Sequence, residues 1–242
     1  MDQLLIALDV ETSEEGLRLA DTLRGVAGGY KIGSRLFTAE GPSLVRRLTD
    51  RGDRVFLDLK FHDIPNTVAT AVEAAVDLGV WMLNVHASGG VRMMQTAHDI
   101  AHGSAERRGR PAPLVIAVTV LTSLNAGALA ETGISRPLGD QVTALAALAK
   151  RAGLDGVVAS AREIAAIRRE CGQDFVIVTP GIRGGGAARP SGDDQERTMS
   201  PVEAMQAGAS YLVVGRPVIA APDPRTAAEA IAAEMRSAAV AP

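Results

Sequence analysis

The chain of 242 residues is 47% hydrophobic and has a formal net charge of −3 without a basic cluster, which suits one large domain and argues against nucleic-acid or membrane partners. The single cysteine, Cys171, rules out an internal disulfide, and no Cys/His spacing resembles a zinc site. Because no segment has the character of a signal peptide or a membrane span, we expect a cytoplasmic protein with one domain over residues 1–242.

Apolar runs of strand length alternate with Ala- and Leu-rich helical segments along the whole chain. This alternation predicts β/α units and a parallel sheet, and eight units in this length fit a closed barrel better than an open sheet. The predicted fold class is α/β, a single-domain (β/α)8 TIM barrel with eight parallel strands. The predicted strands are residues 4–9, 29–33, 54–60, 81–86, 114–121, 156–159, 175–179 and 211–214, and helices are predicted between them, including 13–26, 141–152 and 224–238.

The first two predicted strands each carry one charged residue. Asp9 ends the first strand, and from the residues alone it is either a turn or cap residue or a carboxylate that binds a ligand. Lys31 alternates with Tyr30 and Ile32 in the second strand. Because successive side chains of a strand point to opposite faces, Lys31 is predicted to point toward the barrel axis.

The third predicted strand ends in a concentration of charge. Asp58 and Lys60 share one face of this strand, opposite a wholly apolar face, and Asp63 follows in the turn before a helix that Pro65 can open. Buried charges are costly unless they are paired, and α/β folds place their chemistry at the carboxyl ends of strands. From the residues alone, two interpretations remain open: a structural ion pair that fills the barrel, or an active site.

The segment Asp58-Leu59-Lys60-Phe61-His62-Asp63-Ile64-Pro65-Asn66-Thr67 closely resembles the signature of the orotidine 5'-phosphate decarboxylase family, in its bacterial form. The resemblance extends over nearly the whole chain. It implies that the protein decarboxylates orotidine 5'-phosphate to UMP and CO2, the last step of de novo UMP biosynthesis, without a metal or an organic cofactor.

The resemblance also implies roles for individual residues. It assigns a catalytic row of alternating charge to Lys31, Asp58, Lys60 and Asp63, in which Lys60 protonates C6 of the pyrimidine. It places Asp9 on the ribose hydroxyls of the substrate. Family members are homodimers in which the second aspartate of the signature reaches the neighbouring site, which implies this role for Asp63 and contacts there for Ile64 and Thr67.

Two hydroxyl side chains follow the fifth predicted strand. Thr122 and Ser123 lie at the catalytic end of the barrel, where they either satisfy the loop backbone or contact the pyrimidine edge. The resemblance favours Thr122 as the substrate contact and leaves Ser123 as a second candidate.

The loops after the seventh and eighth strands form the usual phosphate site of such barrels. Arg183, Gln195, Gly215 and Arg216 match the phosphate-contacting positions of the family. The glycine-rich segment 184–194 lacks the G-x-G-x-x-G spacing and does not open a helix. It resembles a mobile loop that grips the phosphate and closes over the ligand.

Two alternative functions remain open. A metal-dependent sugar-phosphate decarboxylase of the same barrel type, such as a keto-gulonate phosphate decarboxylase, shares the Asp-x-Lys-x-x-Asp element, but a Mg²⁺ site needs more carboxylates facing it. A non-catalytic phosphate-binding barrel would keep the phosphate loops and have no use for the charged row.

Overall fold

The computed structural model describes residues 2–182 and 199–240, and within them the eight strands form a closed parallel barrel in sequence order. The predicted (β/α)8 barrel is confirmed. The strands are β1 (Leu4–Ala7), β2 (Gly29–Gly33), β3 (Val55–Phe61), β4 (Met82–His86), β5 (Leu114–Val118), β6 (Gly156–Val158), β7 (Val176–Thr179) and β8 (Tyr211–Val214).

Helices follow the strands and surround the barrel. They are α1 (Ser13–Leu23), α2 (Ser34–Glu40), α3 (Ser43–Thr49), α4 (Pro65–Asp77), α5 (Gly90–Arg107), α6 (Ala126–Glu131), α7 (Leu138–Arg151), α8 (Ile164–Cys171), α9 (Pro201–Gln206), α10 (Arg216–Ile219) and α11 (Pro224–Val240). In the described ranges, none of them combines the length and the apolar character that crossing a membrane requires.

Three predicted element ends are wrong by three residues. One of them is the start of the helix predicted over 141–152, which begins at Leu138. The strand predicted over 114–121 ends at Val118, and just past this end both the N–H and the hydroxyl of Thr119 donate to the carbonyl of Val158, at 3.3 and 3.0 Å. The helix predicted over 13–26 ends at Leu23, because Arg24 is extended and Gly25 has a φ of 81°, a left-handed conformation that glycine adopts readily.

The strands separate two apolar cores by the alternation of their side chains. Tyr30, Ile32 and Leu57 face outward and pack under the helices. A smaller cluster fills the barrel interior, and its members are Leu5, Ala7, Phe56, Met82, Ile116, Val178 and Val213. Each large apolar side chain that is fully buried contributes about 1.5–3 kcal/mol to folding. The amino ends of the strands therefore close over a packed interior, and polar inward positions remain only toward the carboxyl ends.

Candidate active site

A cavity of about 650 Å³ lies at the carboxyl ends of the strands. Its charged and hydroxyl-bearing lining residues are Asp9, Lys31, Asp58, Lys60, Thr122, Ser123 and Arg216. Valine and isoleucine side chains form much of the remaining wall, namely Val118, Val120, Val158, Val178, Ile182 and Val213. This combination of an apolar enclosure with a few convergent polar groups is typical of a small-molecule site.

Four of the charged residues form a continuous row along one side of the cavity. The ammonium of Lys31 lies 2.8 Å from Asp9 Oδ1 and 3.7 Å from Asp58 Oδ2, and the ammonium of Lys60 lies 2.7 Å from Asp58 Oδ1. The side chains of Lys31 and Asp58 are only 11% and 14% exposed. Because each of these charges has an oppositely charged neighbour, the burial of Lys31 and Asp58 can be tolerated.

Glycine at position 33 makes room for this row. A Cβ atom added there would lie 3.0 Å from the Nζ of Lys31 and 3.6 Å from Asp9 Oδ1. A side chain at this position would therefore crowd the ion pair between Lys31 and Asp9.

The backbone of β3 departs from a regular strand at Lys60. Leu57 pairs with Leu83 of β4, and the next pair is Phe61 with Val85. Between these pairs β3 advances by four residues and β4 by two. Lys60 has a φ of 53°, and it is the only non-glycine residue with positive φ within residues 2–182 and 199–240. A strained residue of this kind costs about 1–3 kcal/mol and persists only where its surroundings fix it, which is common at active sites.

Asn84 of β4 is fully buried and binds both charged residues of β3. Its Nδ2 donates to Asp58 Oδ1 at 2.7 Å, and its Oδ1 accepts from the backbone N–H of Lys60 at 2.8 Å. Sequence reasoning missed this residue. The signal was present, because Asn84 is a polar residue between Leu83 and Val85 in an otherwise apolar run, at an inward position.

The hydroxyl and phosphate candidates occupy other parts of the same cavity. Thr122 and Ser123 line it after β5, and Gly215 and Arg216 line it after β8. A Cβ atom added at Gly215 would lie 3.6 Å from Asp9 Oδ2, which brings the end of β8 next to the charged row. The residues predicted for the ribose and for the phosphate therefore adjoin each other.

The remaining residues of the signature lie outside this cavity. Asp63, Ile64 and Thr67 are exposed, and the side chain of Ile64 is among the most exposed large apolar side chains of the described ranges, at 67%. Asp63 Oδ1 accepts a hydrogen bond of 2.6 Å from the N–H of Ile64. Within one chain, Asp63 is thus not brought into the row that Lys31, Asp58 and Lys60 form.

A histidine pair lies next to the row at the ends of β3 and β4. The rings of His62 and His86 have centroids 5.2 Å apart. Burial lowers the pKa of His86, and the neighbouring His62 and the charge of Lys60 lower it further, in that order. His86 is therefore held toward its neutral form.

The described residues contain no group of three or more His, Cys, Asp or Glu side chains arranged to hold a metal ion. The two carboxylates of the cavity, Asp9 and Asp58, are each paired with a lysine ammonium. The ammonium groups of Lys31 and Lys60 thus lie next to the carboxylate oxygens of Asp9 and Asp58.

The chain matches the sequence model of one known protein family. The model of the "Orotidine 5'-phosphate decarboxylase / HUMPS family" matches residues 2–231. The chain belongs to this family. Two relatives named orotidine 5'-phosphate decarboxylase, from Moorella thermoacetica and Saccharophagus degradans, are 57% and 52% identical to it. The alignments cover 97% and 96% of this chain and 92% and 94% of the relatives, respectively.

Two solved structures are similar to the chain over nearly its whole length. The orotidine 5'-phosphate decarboxylase of Lactobacillus acidophilus superposes with a TM-score of 0.85 at 36% identity, over 96% of this chain and 98% of that one. A structure titled as an uncharacterized conserved protein from Geobacillus kaustophilus has a TM-score of 0.83 at 39% identity, over 96% and 99% of the two chains.

The phosphate site that the family resemblance predicts is only partly within the described residues. Arg183, Gln195 and the predicted gripper segment 184–194 lie outside the described residues. The other two predicted phosphate residues, Gly215 and Arg216, are within the described residues. Both line the cavity.

Proposed function

We propose that the protein decarboxylates orotidine 5'-phosphate to UMP and CO2. The observation that carries this proposal is the row Asp9–Lys31–Asp58–Lys60, with its direct ion pairs, in a cavity large enough for a nucleotide. The names of the close relatives support it, because the decarboxylases from Moorella and Saccharophagus are similar over nearly their whole length.

The substrate is oriented by groups at the two ends of the row. Asp9 accepts hydrogen bonds from the ribose hydroxyls, and Gly215 and Arg216, close to it, bind the phosphate. The remaining phosphate contacts are assigned to Arg183 and Gln195. Thr122 or Ser123 contacts the pyrimidine edge, and both line the cavity.

The reaction requires several contributions at once. Loss of CO2 from C6 leaves a carbanion that no carbonyl stabilises as an enolate, so its uncatalysed barrier is very high. Enzymes that act on such slow reactions supply roughly 20 kcal/mol, whereas one well-placed electrostatic contact supplies about 3–4 kcal/mol. Phosphate binding therefore contributes as well, because remote binding energy can be used to organise the reacting centre.

Lys60 is the proton donor in this proposal. As the bond from C6 to the carboxylate breaks, its electron pair stays on C6, and the ammonium of Lys60 first stabilises that charge and then transfers a proton to C6. The amine regains a proton from water when the product leaves. Asp58, 2.7 Å from the ammonium, keeps Lys60 in place. In this proposal its negative charge also destabilises the bound substrate by repelling the departing carboxylate.

The active unit is a homodimer in which Asp63, with Ile64 and Thr67, completes the neighbouring site. The position of these side chains supports this proposal, since they are exposed and lie outside the cavity of their own chain.

The protein acts in the cytoplasm without a metal, an organic cofactor, nucleic acid or membrane. Its only cysteine, Cys171, is a buried free thiol, as suits a reducing compartment.

An ultraviolet assay on orotidine 5'-phosphate in the presence of EDTA tests the function. We expect the substrate absorbance to change at an undiminished rate as UMP forms. Activity that EDTA abolishes would favour the metal-dependent sugar-phosphate enzyme instead. Calorimetric binding of UMP without any decarboxylation would favour a non-catalytic phosphate-binding barrel.

A further inference from the structure

The carboxamide of Asn84 joins the two residues of β3 that carry the proposed chemistry. It donates to the carboxylate of Asp58 and accepts from the backbone N–H of Lys60. We propose that Asn84 is a positioning residue for the decarboxylation, which holds Asp58 and Lys60 in their reactive arrangement. This inference rests on the proposed function and adds to it a residue outside the signature of the third strand.

Asn84 contacts the backbone of Lys60 where β3 is irregular. The pairing of β3 with β4 is interrupted between Leu57 and Phe61, and Lys60 has a φ of 53°. The acceptor for its N–H is the side chain of Asn84, at 2.8 Å. Because a strained backbone persists only where its surroundings fix it, this hydrogen bond helps hold the conformation from which Lys60 directs its ammonium.

Asn84 also fixes the orientation of the Asp58 carboxylate. Asp58 Oδ1 accepts from Lys60 Nζ and from Asn84 Nδ2, each at 2.7 Å, whereas Oδ2 faces Lys31 at 3.7 Å. The donor of Asn84 therefore keeps one oxygen toward each lysine. It does so as a neutral group, so that the alternation of charge along the row is unchanged.

Packing alone does not explain an asparagine at position 84. Asn84 is fully buried, and the inward position before it on the same strand holds Met82, which packs in the apolar barrel interior. A buried carboxamide is costly unless its hydrogen bonds are satisfied, and an apolar side chain would fill the space without that cost. Both of its bonds go to the residues proposed to act on the substrate, which gives the carboxamide a use in function.

Two substitutions separate this role from simple packing. Asn84→Ala removes both hydrogen bonds, and we expect kcat to fall on the order of 100-fold, as for a misplacement of reacting groups by about 1 Å. The Kd for UMP should change by no more than a few fold, because Gly215 and Arg216 are unchanged. A matched control is Ser104→Ala, which removes a buried hydroxyl bonded to Glu73 and Arg107, away from the cavity.

Asn84→Asp gives a signature in the pH profile. It keeps an acceptor for the Lys60 N–H but places a second carboxylate against Asp58 Oδ1, where both cannot ionise together. When the two carboxylates share a proton, that proton can replace the lost donor of Asn84. The kcat of Asn84→Asp should therefore rise as pH falls, and we expect no such rise in the wild type. The other titratable groups around the pair are Lys31, Lys60, Asp9 and His86.

The outcomes are distinct. If wild-type protein is active and Asn84→Ala loses only stability, as Ser104→Ala does, the positioning role is wrong while the proposed function stands. A wild-type pH profile in Asn84→Asp would also overturn it. If neither Asn84 variant folds, Asn84 is a folding residue instead. Wild-type protein that leaves orotidine 5'-phosphate unchanged would remove the proposed function and this inference together.

Discussion

The carboxylate of Asp58 and the ammonium of Lys60 form an ion pair of 2.7 Å within one strand, and both line the cavity. Asp58 also lies 3.7 Å from the ammonium of Lys31. One carboxylate is thus shared by two cations. Removal of either lysine leaves Asp58 with a positive neighbour, so each lysine can be tested without leaving a buried charge unpaired.

The variant Lys60→Ala should lose activity while it keeps its fold and its ligand binding. We expect kcat to fall on the order of 1,000-fold or more, because the reaction loses both charge stabilisation and the proton donor. UMP binding should remain measurable by calorimetry, since the residues at the end of β8 are unchanged. Lys150→Ala, at an exposed position of α7, is the control. A near-normal kcat in Lys60→Ala would refute the assignment.

The proposed sharing of sites predicts that two inactive variants complement each other. Mixing Lys60→Ala chains with Asp63→Ala chains produces hybrid dimers in which one site regains both groups. Random exchange in a two-fold dimer would restore about a quarter of all sites. We expect a corresponding part of wild-type activity after the chains have been exchanged.

Native mass spectrometry of differently tagged chains would show whether hybrid dimers have formed. Each variant incubated alone is the control, because its sites lack the same group in every dimer. Absence of recovery in a mixture that contains hybrids would count against a shared site, and would leave the exposed position of Asp63 without a catalytic role.

The side-chain alternation along the strands could be predicted from the sequence, and the details of the site depend on contacts between strands. Lys31 and Asp58 point inward and Ile32 and Leu57 outward, as a period of two residues predicts. The same rule gave no indication of the left-handed backbone of Lys60. That conformation arises where β3 and β4 lose their register, which no local pattern in β3 encodes.

Asn84 illustrates the same limit for an individual side chain. Its inward direction follows from the alternation in β4, but its partners lie 24 and 26 residues earlier in the chain. From the sequence, a single polar residue in an apolar strand is equally consistent with a bulge, a bound water or a polar partner on another strand. Only the packed barrel shows that its partners are Asp58 and Lys60.

The charge on Lys60 should be detectable at His86. Burial lowers the pKa of His86, and His62 and Lys60 lower it further, so Lys60→Ala should raise this pKa toward the ordinary value of about 6.5. An NMR titration of the four histidine rings measures it, with the His86 signal assigned by its loss in His86→Gln. Lys150→Ala is again the control. An unchanged pKa of His86 in Lys60→Ala would show that the amine of Lys60 has no electrostatic effect on His86.

The same shift has a consequence for stability. A histidine whose pKa is lower in the folded than in the unfolded chain opposes folding when it is protonated. The stability that neutral His86 contributes is complete above its pKa in the unfolded chain, about 6.5. This contribution is lost as pH falls through the lower pKa that His86 has in the folded chain. Urea unfolding of wild type and His86→Gln between pH 7 and 5 measures this effect. The free energy of unfolding should fall more steeply with decreasing pH in the wild type than in His86→Gln.

Tyr30 predicts a second pH effect, at the alkaline end of the range. The pKa of Tyr30 is raised to about 12, mainly by burial and to a smaller extent by the charge of Asp53. Its hydroxyl also donates to the carbonyl of Ala20 at 2.7 Å. Because the unfolded phenol ionises near pH 10, the stability that Tyr30 contributes is complete below about pH 10 and is lost as pH rises through about 12.

Absorbance at 295 nm measures this ionisation directly. The chain has two tyrosines, so in the variant Tyr211→Phe the signal comes from Tyr30 alone. We expect its midpoint near pH 12, together with the loss of the folded state that the same shift predicts. The variant Tyr30→Phe loses the hydrogen bond to Ala20, at a cost of about 1 kcal/mol, but should also lose this alkaline sensitivity. A midpoint near pH 10 in folded Tyr211→Phe would contradict the buried phenol.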